Sequence, residues 1–270
     1  MRALALLLAL AAQAAPRSFE VASVKAHDPA NPRTMMVADA SGLFTAVGIP
    51  VVMLIRTTYS LQDDQVVGGP DWLRSARFDI TAKAADGTPP TAMGPMLQAL
   101  LADRFQLTSH RETRELPVFA AVKARPDGQL GPRLVANGCA WDITRPPAPP
   151  KPGETRCGGI SEGFGRMSLN AMPIPVFLQY LAPKVNRVIV DRTGLTGNFD
   201  IELQWTPENL PPRAPGAPAD QPIRVNGEAV DPNGPSLFTA LQEQLGLKLD
   251  ATRAPTEVLV VDRAERPSPD

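Results

Sequence analysis

Cysteine and histidine are nearly missing from this sequence, with two of each in 270 residues. So few ligands of these types exclude a Cys-rich or His-rich metal centre. Neither sign of charge is in excess. Lys and Arg total 27 against 28 Asp and Glu, a net charge of -1, so the basic surplus expected of a nucleic-acid binder is absent. Beyond the N-terminus there is no apolar run of the ~20 residues needed to span a bilayer. No phosphate loop, dinucleotide fingerprint, S-x-x-K or H-E-x-x-H occurs. These absences imply no metal, no cofactor, no nucleic-acid partner and no membrane span in the mature chain.

Proline, by contrast, is abundant. The 30 prolines are roughly twice the average frequency and argue against long unbroken helices. With 43% apolar and 20% charged residues, the composition is that of a globular chain, sized for one large domain or two small ones.

The first 14 residues run from Met1-Arg2-Ala3 into an almost pure Leu/Ala stretch and end on Ala12-Gln13-Ala14. A basic residue, a short apolar run and an A-x-A site describe a secretory signal peptide. A buried N-terminal helix is the alternative, but the segment has no polar face. No Cys sits at the cleavage point to carry a lipid anchor. The mature chain is therefore expected to be periplasmic or extracellular. An oxidising compartment favours a Cys139–Cys157 bond, against the alternative of two unpaired thiols. Between them lies the run Pro146-Pro147-Ala148-Pro149-Pro150-Lys151-Pro152, which cannot build regular backbone hydrogen bonding.

The most informative feature is self-similarity. Gly42-Leu43-Phe44-Thr45-Ala46-Val47-Gly48-Ile49-Pro50-Val51 aligns with Gly165-Arg166-Met167-Ser168-Leu169-Asn170-Ala171-Met172-Pro173-Ile174, 123 residues on. Phe78-Asp79-Ile80 matches Phe199-Asp200-Ile201 at 121, and Leu97, Leu101, Phe105 and Leu107 match Leu237, Leu241, Leu245 and Leu247 at 140. The spacing jumps where the second copy carries a Pro-rich insertion, 206–235, with eight prolines.

Each copy reads alike. An alternating strand precedes a proline that opens a helix, whose apolar face is Val51, Leu54 and Ile55, or Ile174, Phe177, Leu178 and Leu181. Two strands follow, then a Leu-rich helix and two final strands, the first pair being Gln106 to His110 and Val118 to Val122. The expected fold is α+β, a tandem duplication of a small β-α-β-β-α-β-β module with two helices packed on a small sheet. The domain expectation is signal peptide 1–14, first module 15–123, a Pro/Gly-rich connector 124–164 carrying the cysteines, and second module 165–270. The insertion 206–235 reads as an exposed loop.

Candidate chemistry is sparse. Gly159-Ile160-Ser161-Glu162-Gly163 matches G-x-S-x-G, but a nucleophile elbow needs a preceding apolar strand and a later His. Both histidines, His27 and His110, lie upstream. His110 and Glu112 supply two ligands from one strand face, too few for a metal, and Thr108 to Glu115 reads as a solvated hairpin. Asp191-Arg192-Thr193-Gly194 is interrupted by Arg relative to the Asp-Thr-Gly of aspartic peptidases and reads as a strand-ending turn. No catalytic residue is assigned. Asp79 and Asp200, each inside a strand, are the best candidates for an unrecognised carboxylate site. A binding surface is expected at Tyr59, Gly68, Gly69, Pro70, Asp71 and Trp72, where copy one has aromatics that copy two lacks. The alternative is that Trp72 closes one end of the core.

Several motifs occur together: Phe19-Glu20-Val21-Ala22-Ser23-Val24-Lys25, Gly68-Gly69-Pro70-Asp71-Trp72-Leu73, Leu100-Leu101-Ala102-Asp103-Arg104-Phe105, His110 through Val118, and Asp191-Arg192-Thr193-Gly194-Leu195-Thr196-Gly197. In combination the chain resembles an uncharacterised family of secreted, soil-associated bacterial proteins of the acidobacterial, Solibacter type. That domain of unknown function also forms the extracytoplasmic tail of membrane metallopeptidases similar to beta-lactam sensors. The resemblance implies no catalytic residues. Each half also resembles the short N-terminal module of secretins and TonB-dependent receptors, which implies protein docking in the periplasm. The expected function is a non-enzymatic binding or docking protein of the cell envelope, its partner an envelope protein or small envelope ligand. An extracytoplasmic ligand-sensing module and an envelope hydrolase are the alternatives.

Overall fold

The computed structural model describes residues 18–89, 92–139, 157–211, 223–225 and 227–268. The signal segment, the proline run 146–152 and the middle of the 206–235 insertion lie outside the described residues. The chain is α+β and divides into two compact units. One comprises the described residues up to Arg114 and from Thr256 onward, the other Glu115–Pro255.

In the first unit, β1 (Val21–Ala26), β2 (Met35–Ala38), β3 (Leu43–Pro50) and β5 (Arg77–Lys83) form an antiparallel sheet in the order β1-β5-β3-β2. Alternation on β3 and β5 puts Phe44, Ala46, Phe78, Ile80 and Ala82 on the inner face. Against that face pack α1 (Val51–Tyr59), the short α2 (Trp72–Ser75) and α3 (Met93–Arg104), sharing one core with Ile55, Leu101 and Phe105. Pro50 precedes α1 with extended φ and ψ of -65 and 145, so it is the last residue of β3 rather than part of the first turn. β4 (Val66–Gly68) runs parallel to the C-terminal part of β14 (Leu247–Arg263), Val66 beside Leu259.

In the second unit, β7 (Leu134–Asn137), β8 (Gly159–Gly163), β9 (Arg166–Pro173) and β11 (Asn198–Gln204) form an antiparallel sheet ordered β7-β11-β9-β8. Its inner residues Met167, Leu169, Phe199, Ile201 and Leu203 pack on α4 (Ile174–Leu181) and on α5 (Leu237–Ala240), which continues as a π turn through Leu245. β10 (Ile189–Asp191) runs parallel to β6 (Thr108–Lys123), with Ile189 beside Phe119. Cys139 and Cys157 form a disulfide, Cα atoms 6.0 Å apart. Inside the Pro-rich insertion a two-stranded ribbon forms from β12 (Ile223–Val225) and β13 (Glu228–Val230), and Val230 is buried.

One expectation is corrected. Thr108 to Glu115 is no hairpin, and the separate final strands of each half are single strands, β6 and β14. The alternating polar residues are satisfied across a ladder instead. His110 meets Asp262, Arg111 meets Glu257, and Arg253 donates to the Glu115 carbonyl. Opposite charges on facing strands support such pairing.

β3 and β9 carry the same irregularity. The β3–β5 register shifts between Ala46 and Ile49, and the β9–β11 register shifts at Phe199/Ile201. Gly48 and Ala171 sit there with φ of 64 and 50. Each gives its amide to a carboxylate on the neighbouring strand, Gly48 to Asp79 at 2.8 Å and Ala171 to Asp200 at 2.9 Å. A bulge leaves an N–H off the ladder, and the aspartate supplies its missing acceptor.

Candidate functional site

The surface expected around Trp72 is an edge of the first unit's core. Trp72 is half-buried, stacked on Phe105 at 6.4 Å and edge-on to Phe78 at 6.3 Å. Arg266 lies over the indole at 5.8 Å. Tyr59 packs against the same core, but among the described residues no ring contact joins it to Trp72. Pro70 is half-buried and Asp71 exposed. Gly68 and Gly69 have an internal reason to be glycine. A Cβ on Gly69 would fall 2.6 Å from Leu73 Cδ1 and 2.9 Å from Val261 Cγ1, and one on Gly68 would fall 3.0 Å from the Val261 carbonyl.

The two strand aspartates lie in different units. Asp79 Oδ1 faces His27 Nδ1 at 2.7 Å as well as the Gly48 amide. Asp200 Oδ1 accepts from Asn137, Asn170 and the Ala171 amide at 2.8, 2.8 and 2.9 Å. Both carboxylates are structural acceptors rather than a facing pair. Ser161 lies within β8, opposite Ser168, so G-x-S-x-G is a strand and not an elbow. His110 Nδ1 meets Asp262 at 2.9 Å, a bond that raises its pKa above the ordinary histidine value against an opposing desolvation. Among the described residues no group of three or more His, Cys, Asp and Glu is placed to hold a metal ion. Asp191 Oδ1 accepts from the Thr193 amide and hydroxyl at 2.9 and 2.8 Å, the strand-ending turn expected there.

A concave site lies in the second unit. A cleft of about 720 Å³ is walled by Phe119 of β6, Phe164 in the β8–β9 turn, Trp205 after β11 and Phe238 of α5. That volume suits a small molecule. Local bonds set each wall. The Phe119 amide donates to the Val188 carbonyl at 2.9 Å, joining the lead-in of β10 to β6. Trp205 donates to the Gly165 carbonyl at 2.8 Å, and a Cβ on Gly165 would fall 2.5 Å from the Trp205 carbonyl. Thr206 donates to the Pro235 carbonyl at 2.8 Å, closing the base of the insertion beside α5. Phe238 stands edge-on to Phe119 at 5.7 Å.

Two cations line the cleft. Lys184 is already paired with Glu162 at 3.1 Å. Arg187 has no ion-pair partner among the described residues. Its guanidinium carbon lies 4.7 Å from the Phe119 centroid, and among the described residues no carboxylate or other acceptor engages its side chain. Sequence reasoning did not assemble this cleft, because its walls are brought together only by the folding of the second unit.

The family model described as Protein of unknown function (DUF3738) matches residues 52–264, and the chain belongs to that family. Comparison with curated proteins and with solved structures gives no match. No helix among the described residues is long and apolar enough to cross a membrane.

Proposed function

We propose that the chain is an exported, non-enzymatic binding protein of the cell envelope, and that the cleft of the second unit receives its ligand. The observation that carries this reading is the aromatic lining at Phe119, Phe164, Trp205 and Phe238 in a chain with only 5% aromatic residues. Concave aromatic walls with few convergent polar groups are the usual form of a small-molecule site. Export rests on the Leu/Ala leader ending in Ala12-Gln13-Ala14 and is supported by the Cys139–Cys157 bond. The module of secretins and TonB-dependent receptors, which each half resembles, supports an envelope setting. A sensing role for the same cleft is the near alternative. A hydrolytic role is disfavoured by the commitment of Asp79 and Asp200 to bulge amides.

Tandem duplication supplies the architecture in this reading. In both halves a strand ending in proline leads into a helix, and an aspartate two strands on holds the bulge amide of that first strand. A second contact surface is proposed at Tyr59 and Gly68–Trp72, where both glycines are exposed.

The test is gentle purification of the exported protein followed by native mass spectrometry, with turnover measured on peptidoglycan and peptide libraries. A retained small molecule, lost in Phe238→Ala with folding intact, supports the reading. Turnover of either library overturns the non-enzymatic reading, and turnover lost in Phe238→Ala would make the cleft an active site.

A further inference from the structure

Resting on the assignment of the second unit's cleft as the binding site, we propose that its ligand is a small aromatic carboxylate, with the ring against Phe119, Trp205 and Phe238 and the carboxylate on Arg187. Charge decides the class. Among the described residues the lining holds two cations and one carboxylate, Glu208. Lys184 is neutralised by Glu162 at 3.1 Å. Glu208 is exposed, so water weakens its field in the cleft. Arg187 is half-buried, and its guanidinium is held over Phe119 at 4.7 Å. A cation–π contact positions a guanidinium without using up its N–H donors. Among the described residues those donors have no acceptor, and a planar fork of N–H groups matches a carboxylate bidentately. Such a group, half-buried and with no acceptor among the described residues, gains most from an anion.

The aromatic half of the ligand follows from the walls. Phe119 and Phe238 meet edge to face at 5.7 Å and 67°, a geometry that exposes ring faces and edges to a third ring. Trp205 and Phe164 extend the same lining. A bare anion such as acetate would leave those walls wet, and an aromatic amide would offer Arg187 a single neutral acceptor with no opposing charge. Only a ligand with both features uses the whole cleft.

The experiment is calorimetric titration of the purified exported chain with indole-3-propionate, 3-phenylpropionate, the corresponding amides and propionate. The acids bind at least tenfold tighter than the amides or propionate, and added salt weakens the acids alone. Arg187→Met abolishes the preference for acid over amide, Arg187→Lys keeps part of it, and Phe238→Ala weakens acid and amide together. Thermal melts of all three variants show that they fold. Equal affinity for acid and amide, or a preference that survives Arg187→Met, overturns the aromatic-carboxylate inference while leaving the cleft as a binding site. No binding of either acid overturns the inference as well. If native mass spectrometry then also finds no Phe238-dependent ligand, the binding reading falls with it.

Discussion

His27 Nδ1 lies 2.7 Å from Asp79 Oδ1, and the opposite ring nitrogen lies 2.9 Å from the Asn31 carbonyl oxygen. Both partners are acceptors, so both nitrogens are satisfied together only in the doubly protonated imidazolium. The side chain is 6% exposed. The hydrogen bond to Asp79 is the largest influence and raises the His27 pKa. Burial opposes it, the Asn31 carbonyl and the Asp79 charge add to it, and Arg77 on the same strand as Asp79 works against it. A raised folded-state pKa means the protonated ring stabilises the fold. That contribution is complete below the ordinary histidine pKa of about 6.5 and is lost as pH rises through the raised folded value. Urea midpoints of the wild type are expected to fall across this window. His27→Gln should flatten the fall, leaving the slope from exposed His110, whose pKa is also raised by its bond to Asp262. An unchanged slope in His27→Gln would refute the assignment.

Asp200 gathers more donors than Asp79, and all of them converge on one oxygen. Asp200→Ala strips the acceptor from two asparagine side chains and a bulge amide. Each donor left unsatisfied costs about 1–3 kcal/mol, so a loss of roughly 3 kcal/mol or more is expected in equilibrium unfolding. Asp200→Asn keeps an oxygen and should lose less. The hydrolytic reading expects the reverse pattern, near-normal stability with lost turnover.

Much of the fold was legible because it rests on short-range periodicity. The strands around Phe44 and Met167, the helices from Val51 and Ile174, and the Phe-Asp-Ile strands all lie where alternation and apolar spacing placed them. The β6–β14 ladder was misread because polar alternation near Glu112 and Pro117 looks the same whether a strand turns back or continues to a distant partner, here Asp262 and Glu257. Gly131 was invisible for a related reason. A Cβ there would fall 2.3 Å from the Gln244 carbonyl, a close approach across more than a hundred residues. The cleft did leave a trace. At offsets of 123, 121 and 140 residues in the sequence, Phe164, Trp205 and Phe238 correspond to Ser41, Ala84 and Gln98, none of them aromatic.

The disulfide ties the end of β7 to the start of β8, with Cys139 further held by its carbonyl accepting from Asn198 at 2.8 Å. Closing a loop of 18 residues corresponds to about 3 kcal/mol in the chain-entropy model. Free-thiol labelling of the unreduced exported protein should find none. Cys139→Ser with Cys157→Ser should unfold at lower denaturant by about that amount, with the cleft's ligand affinity unchanged in the folded protein.

Trp72 separates packing from docking in the first unit. Its ring stacks on Phe105, meets Phe78 edge-on and lies beneath Arg266, while Leu73, the next residue in α2, is 2% exposed. These contacts join α2, β5 and the end of α3 at one corner of the core. Truncation to alanine removes the ring on which both phenylalanines pack. Deleting a buried aromatic costs roughly 3–5 kcal/mol, and a half-buried one falls at the lower end, about 3 kcal/mol. Trp72→Ala is therefore expected to melt several degrees lower, and Trp72→Phe to lie between. Acrylamide should quench the emission lost in Trp72→Phe less than that of a free indole. A Trp72→Ala protein with an unshifted melt and a freely quenched Trp72 in the wild type would instead place the side chain on a surface left open for a partner.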